Sequence, residues 1–531
     1  MIAEDEPTEP TEPEEQTPAA GAPQPTEDAT IRAELKYVNG LTMIAGGDVI
    51  NVLDTQGIIG QLLQEALRNK KPERVPLPPD APTIERVREW FEDLPDDSQK
   101  CHAITLAIFH GLKYADFLDL RERMVTGLGL DQTDDKQAAP TLFKRSQLEC
   151  WHKQVQTVRA GDGLESVVRF KDEEYVAALY ELLRTEYQPV LIKMLPVLRD
   201  IAAENRYWEI RVAAAEAVGE IGRFAFQRMH DEVLKAWAAD PRDYVRATPG
   251  YPLRRLAEDT AYRTRVLAVL DEWTKGGRAL RGPAWRYRWA AASAYKQIGA
   301  IDAPWASPAA VEGLRQLAGY GHLRSYEGAA VVDAVIHSLL VHSLGGQTEM
   351  NNVLLALKQW LEQGSQGDRP ESPPQNRCRT AIMALVVIAD IHLALAAEIR
   401  DGHGQAEDMP VTNLFDLIRD GEVNGDDFWQ LLVVAGVRAF EFDQAPAFYG
   451  LIERWAAEAP DDIMLRRAVV NLLVEVYGTL RPGQQPRLWR RLNEWAGQER
   501  RPELRECATR AKDKILRGER PGARGNIIFG D

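Results

Sequence analysis

The chain is poor in the features on which most catalytic and exported proteins depend. Its 531 residues include four cysteines, Cys101, Cys150, Cys378 and Cys507, far apart and in no CxxC pair. Neither a disulfide framework nor a thiolate zinc site is expected, and a cytoplasmic, reducing location fits best. No GxxxxGK[ST] loop occurs, so no phosphate-cradling loop can be named. The nine histidines are scattered, with none in HExxH or a Cys/His ligand spacing. No metal and no other cofactor is expected. Positive charge is short as well, and a formal net charge of −16 opposes nonspecific attraction to phosphate backbones and anionic membranes. Nucleic acid and membrane are therefore not expected partners. No basic segment followed by an apolar one opens the sequence, so export is unsupported. The longest apolar run, residues 380–397, contains Asp390 and His392. Ionisable groups are costly in a bilayer, which makes this run a buried helix rather than a span.

Acidic charge is abundant and uneven. Residues 1–30 hold nine acidic side chains, no basic one and several prolines, a composition that predicts a disordered, self-repelling tail. The rest of the chain divides into a short Gly/Val-rich β segment (31–60), a linker (61–82), a compact region (83–180), a long helical region (181–517) and a flexible C-terminal tail (518–531).

The helical region carries a repeated phrase, apolar-x-x-Trp, ending at Trp237, Trp273, Trp360, Trp455 and Trp495. Neighbouring copies are about forty residues apart or roughly twice that, with weaker echoes ending at Leu317 and Leu417 in the wide gaps. Before each phrase stands a segment rich in small residues, clearest in "EIRVAAAEAVGEIG" and "WRYRWAAASAYKQIG". Apolar and small residues recur there at three and four, the mark of amphipathic helices that allow close approach. One small-faced helix and one Trp-ended helix cannot bury themselves alone, but stacked pairs can. The expected fold is mainly α, an α-solenoid behind a small α+β domain. The tryptophans then read as packing residues between layers, a partner-binding row being the sharper alternative.

This pattern resembles HEAT repeats, and "DPRDYVRA" (residues 240–247) matches the Asp, Val-Arg and small residue with which the first helix of such repeats often opens. Arg211, Arg246, Arg288, Arg379, Arg467 and Arg505 occupy comparable places. The departure is "RATPGYP", where Pro249 and Pro252 should break the helix.

Residues 83–180 read as three short helices followed by two alternating stretches around Gly161-Asp162-Gly163, a hairpin signal. Three helices and a hairpin suggest a winged helix. A winged helix leading through "LYELLRTEY" into HEAT-like repeats resembles the C-terminal half of bacterial STAND-type NTPases, in which that pair relays or senses. "YVNGLTMIAGGDVINVLDTQGIIG" (residues 37–60) resembles the Gly- and Val-rich β segment that often precedes the NTPase module of those proteins. Here only "QLLQEALRNKKPERVPLPPDA" separates the two, too short for a nucleotide-binding domain. The resemblance thus implies an ATPase-free relative in a signalling or defence system.

A DNA-binding role finds little charge to support it. The expected recognition helix, residues 115–127, sets Asp116, Asp119 and Glu122 against Arg121 and Arg123, and the hairpin sets Lys153, Arg159, Arg169 and Lys171 beside Asp162, Glu165, Asp172 and Glu173. A groove-reading helix needs a basic footprint. "GDGLES" lacks the strand-Ser-helix context of a nucleophile elbow, and "DGEVNGDD" (residues 420–427) lacks the rhythm of a calcium loop, fitting instead a loop that caps a helix starting near Asp427. His337 and His342 are five apart and so on different helical faces. No enzyme is expected, and the chain reads as a non-catalytic scaffold or regulatory subunit with a protein partner. The alternatives are a DNA-binding regulator, an enzyme whose site is drawn from distant residues, and a substrate cut by a partner protease in the polar loops 131–145 or 363–375.

Overall fold

The computed structural model describes residues 81–130, 155–160, 165–205, 207–276, 282–321, 325–364, 372–400, 423–457 and 463–519. The tail 1–30, the segment 31–60, nearly all of the linker 61–82, the loop 131–145, Cys150, the Gly161–Gly163 turn, most of the loop 363–375 and the echo at Leu417 lie outside them.

The first unit contains α1 (Ala81–Glu92), α2 (Asp97–Ile108), α3 (Tyr114–Gly127) and an antiparallel hairpin, β1 (Val155–Ala160) with β2 (Glu165–Phe170), in the register Val155↔Phe170 to Ala160↔Glu165. Lys113 bridges to Val167, and the Gly111 N–H donates to the Val168 carbonyl at 2.8 Å, so the α2–α3 connection adds a third rung to the hairpin. Gly111 has φ +82°, a left-handed conformation that glycine adopts without steric cost. Trp90 meets Phe170 and Tyr175 edge-on, its ring 5.8 Å from each. Tyr175 belongs to α4 (Glu174–Glu186), which packs on α1 and α2 and also on α5 (Gln188–Glu204). The boundary set at residue 180 falls inside this helix, because Ala178, Leu179, Leu182 and Leu183 form one buried face.

The remainder is a two-layer helical array. Its first layer is α6 (Trp208–Met229), then α9 (Gly250–Ala257) after the single turn α8 (Asp243–Arg246), α11 (Ala284–Gly299), α13 (Tyr326–Ser343), α15 (Pro373–Arg400), α16 (Gly425–Glu441), α18 (Ile463–Thr479) and α20 (Pro502–Leu516). The second layer is α7 (Lys235–Ala239), α10 (Thr260–Lys275), α12 (Ala306–Tyr320), α14 (Gln347–Gln363), α17 (Ala445–Ala457) and α19 (Gln485–Ala496). Each first-layer helix packs on the next along the whole series. That succession of helix pairs, each touching its neighbours, is an α-solenoid.

Small side chains set the spacing. A Cβ on Gly219 of α6 would stand 3.0 Å from the Pro252 Cα of α9, so this crossing needs glycine. The tryptophans fill the opposite role. Trp237, Trp273, Trp360, Trp455 and Trp495 are at most 1% exposed, which corresponds to roughly 4–6 kcal/mol of apolar transfer each. Pro249 and Pro252 do break their helix, between α8 and α9. Pro249 becomes the residue before α9 and Pro252 falls in its first turn, where a missing N–H leaves no helical bond unmade. The unit keeps its place, since α9 still packs on α6 and α11. Farther up, α6 deforms at Ala225 (φ −124°, ψ 38°) and runs through one π-helical turn, His230–Leu234, into α7. The kink separates the small-faced helix before Ala225 from the helix after it, and the first Trp phrase ends that second helix.

One helix goes beyond the sequence pattern. First-layer helix α16 has no copy among the small-faced segments; only its start was visible, and the Asn424 side chain caps it by accepting from the Asp426 N–H at 2.9 Å. The apolar run of α15 is buried from Thr380 to His392, with Asp390 2.8 Å from Arg454 of α17. Among the described residues no helix is long and apolar enough to cross a membrane.

Candidate interaction face

The first turns of four successive first-layer units each carry an aromatic residue: Trp208, Tyr244, Trp285 and Tyr326. All four are half-buried, and arginines lie between them. The Arg211 guanidinium stands 5.3 Å from the Tyr244 ring, and Arg242 reaches the same ring at 5.6 Å. Arg246 lies 4.9 Å from both Trp285 and Trp289. Trp285 in turn meets Tyr326 edge-on at 5.7 Å. A desolvated guanidinium over an aromatic face is held by the ring quadrupole, which sets Tyr244 against Arg211 and Trp285 against Arg246. Trp208 is tied inward by donating its indole N–H to the Tyr251 hydroxyl at 3.0 Å.

Of the repeat arginines, Arg246 is 2% exposed; it donates to the carbonyls of Asp240 (3.1 Å) and Pro241 (2.6 Å) and pairs with Asp243 at 2.5 Å. Arg211 is also buried. Arg288 donates to the Thr274 carbonyl at 3.0 Å and lies over Tyr320. Arg379 is half-buried beside Phe442, whereas Arg467 and Arg505 are exposed. The six positions share a place in the repeat but not an environment. The repeat tryptophans differ too: Trp237 donates to the Arg199 carbonyl (3.0 Å) and Trp495 to Glu453 (2.9 Å), while among the described residues the buried indole N–H groups of Trp273, Trp360 and Trp455 meet no acceptor. The row at the helix starts was missed in the sequence, although it has the same spacing of about forty residues as the Trp phrases at the helix ends.

Among the described residues, three cysteines and two Ser–His contacts are enclosed. Burial raises the thiols of Cys101 and Cys507 to about 11 and that of Cys378 to about 12, away from nucleophilic thiolate. Two Ser–His contacts lie in the core. His342 Nε2 is 2.8 Å from Ser307 Oγ, which also accepts from the Asn352 amide at 2.7 Å. His392 Nε2 is 3.1 Å from Ser343 Oγ, whose proton goes to the Leu340 carbonyl at 2.7 Å. Burial lowers His342 to about 4 and His392 to about 3, so both imidazoles are neutral. Because the Ser343 proton goes to the Leu340 carbonyl, His392 donates to Ser343, and both Ser–His pairs are enclosed. A cavity of about 630 Å³ is lined by Glu453, Arg491 and residues 497–501. Burial acts to raise Glu453, but bonds from Trp495, Arg501 and Arg491 prevail and hold it ionised, below its usual range. It is a satisfied carboxylate and a poor base. Among the described residues no group of His, Cys, Asp and Glu could hold a metal ion.

The helix expected to read DNA is turned to other work. Arg123 of α3 pairs with Glu204 at 2.6 Å, and Gly127 abuts Val197, both on α5. Asp119 and Glu122 are the charged residues it leaves exposed, and these repel phosphate.

No family model matches the chain, and no curated protein matches it. Among solved structures it is similar to an engineered protein, at 14% identity and a TM-score of 0.23, covering 86% of this chain and 99% of that one. It is also similar to yeast importin-beta, Kap95p, at 11% identity and a TM-score of 0.22, over 93% of this chain and 68% of that one. A second structure, of Kap95p with RanGDP, matches at 11% and 0.20, over 87% and 60%. Likeness at this level carries no argument about function, and the fold stands on the helix packing.

Proposed function

We propose that this chain is a non-catalytic scaffold, a HEAT-like array that binds a protein partner along the aromatic edge of its first layer. The observation that carries the reading is the row Trp208, Tyr244, Trp285 and Tyr326 with its interleaved arginines. Tryptophan, tyrosine and arginine are the residues in which interface energy concentrates, and here they recur at one place in successive repeats. Residues 83–180 then act as a winged-helix adaptor seated on the array through α3, α4 and α5. The order of adaptor and array resembles the C-terminal half of STAND-type NTPases, which supports an ATPase-free relative in a cytoplasmic bacterial signalling or defence system; this step is analogy. The test is affinity capture with the tagged full chain beside the double variant Trp285→Ala/Tyr326→Ala, with circular dichroism confirming that both are folded. Wild type is expected to recover the same protein reproducibly and the variant to lose it. An empty eluate from wild type, or undiminished recovery by the variant, would overturn the reading.

A further inference from the structure

We propose that Asp333 receives a basic side chain, lysine or arginine, from the protein that lies along this edge. The proposal rests on the scaffold reading and adds to it the chemistry of the partner.

Asp333 lies in α13 two turns beyond Tyr326, and residues seven apart share a helical face. It is 8% exposed, and among the described residues no hydrogen bond or ion pair reaches its carboxylate. The charge close enough to act on it is Asp243, another acid, from two units earlier in the array. Several other enclosed charges are answered within the array. Arg246 has Asp243 and two carbonyls, Asp390 has Arg454, and Glu453 has three donors. A buried acid is costly unless something pairs it, and nothing within the described array supplies the cation.

The approach to Asp333 fits an organic cation. Trp285 and Tyr326 form an aromatic corner in the first turns of α11 and α13, suited to the aliphatic stem and charged head of lysine or arginine. A metal ion fits less well, because it needs several hard ligands together and Asp243 is already engaged by Arg246.

Peptides selected by phage display against the full-length protein, then measured by fluorescence anisotropy, test this directly. The selected peptides are expected to share a lysine or arginine whose replacement by methionine weakens binding about tenfold or more. Asp333→Asn should lose the same factor while being more stable than wild type at neutral pH, because it removes an unpaired acid; unfolding then cannot explain the loss. Asp333→Glu should retain much of the binding. Peptides that lose affinity with Trp285→Ala but bind Asp333→Asn as tightly as wild type would overturn this inference and leave the scaffold standing. Failure to select any peptide, together with an empty capture, would overturn both.

Discussion

Acid should unfold this array through two buried imidazoles. His342 and His392 belong to adjacent first-layer helices, α13 and α15, and burial lowers them to about 4 and about 3. In the unfolded chain each titrates near its ordinary value of about 6.5. Both folded values lie below the unfolded one, so their contribution is fully present above about pH 6.5 and is lost as pH falls through that value toward the folded values. At pH 5 an unfolded histidine is almost wholly protonated and these two are not, a difference of about 2 kcal/mol each and about 4 kcal/mol together. Urea unfolding followed by tryptophan fluorescence, at about pH 7.5 and pH 5, measures the loss. The variant His342→Gln/His392→Gln keeps a polar group at each position but cannot titrate. It should be less stable than wild type at the higher pH, yet its loss between the two pH values should be smaller by about 4 kcal/mol. An unchanged pH dependence in the variant would refute the premise that these rings are held neutral by burial.

Two further outcomes follow from the packing. Trp360→Ala should lower stability by about 3–5 kcal/mol, but Trp360→Phe by much less, because that indole N–H meets no acceptor among the described residues; Trp495→Phe should cost more than Trp360→Phe, since it strips a donor from Glu453. Paired urea titrations would show the order, and equal losses for the two phenylalanine variants would contradict it. Gly313→Ala would place a Cβ 2.1 Å from the Tyr295 ring, an overpacking worth about 1–3 kcal/mol. Adding Tyr295→Leu should recover part of that loss in thermal melts.

The sequence was legible where the physics is local or periodic. Small residues at three and four, a Trp phrase at about forty and proline at 249 and 252 mark helices, units and a break, because each depends on side-chain size or backbone geometry within a few residues. Asp390 and His392 were enough to separate a buried helix from a membrane span. Helix α16 escaped because large apolar residues, Phe428 to Val433, precede its few small ones, and short apolar runs do not announce which layer they join. The aromatic row escaped for a different reason. Its members are one or two per unit, and only stacking brings Arg246 against Trp285 and Trp285 against Tyr326. Burial was decided at the same level. Asp333 and His342 are ordinary polar letters in an apolar helix until neighbouring helices close around them, and whether a charge has a partner is a property of that enclosure. The sequence alone determined that a stack of helix pairs would form; the tertiary packing alone decided which charges the stack would leave unanswered.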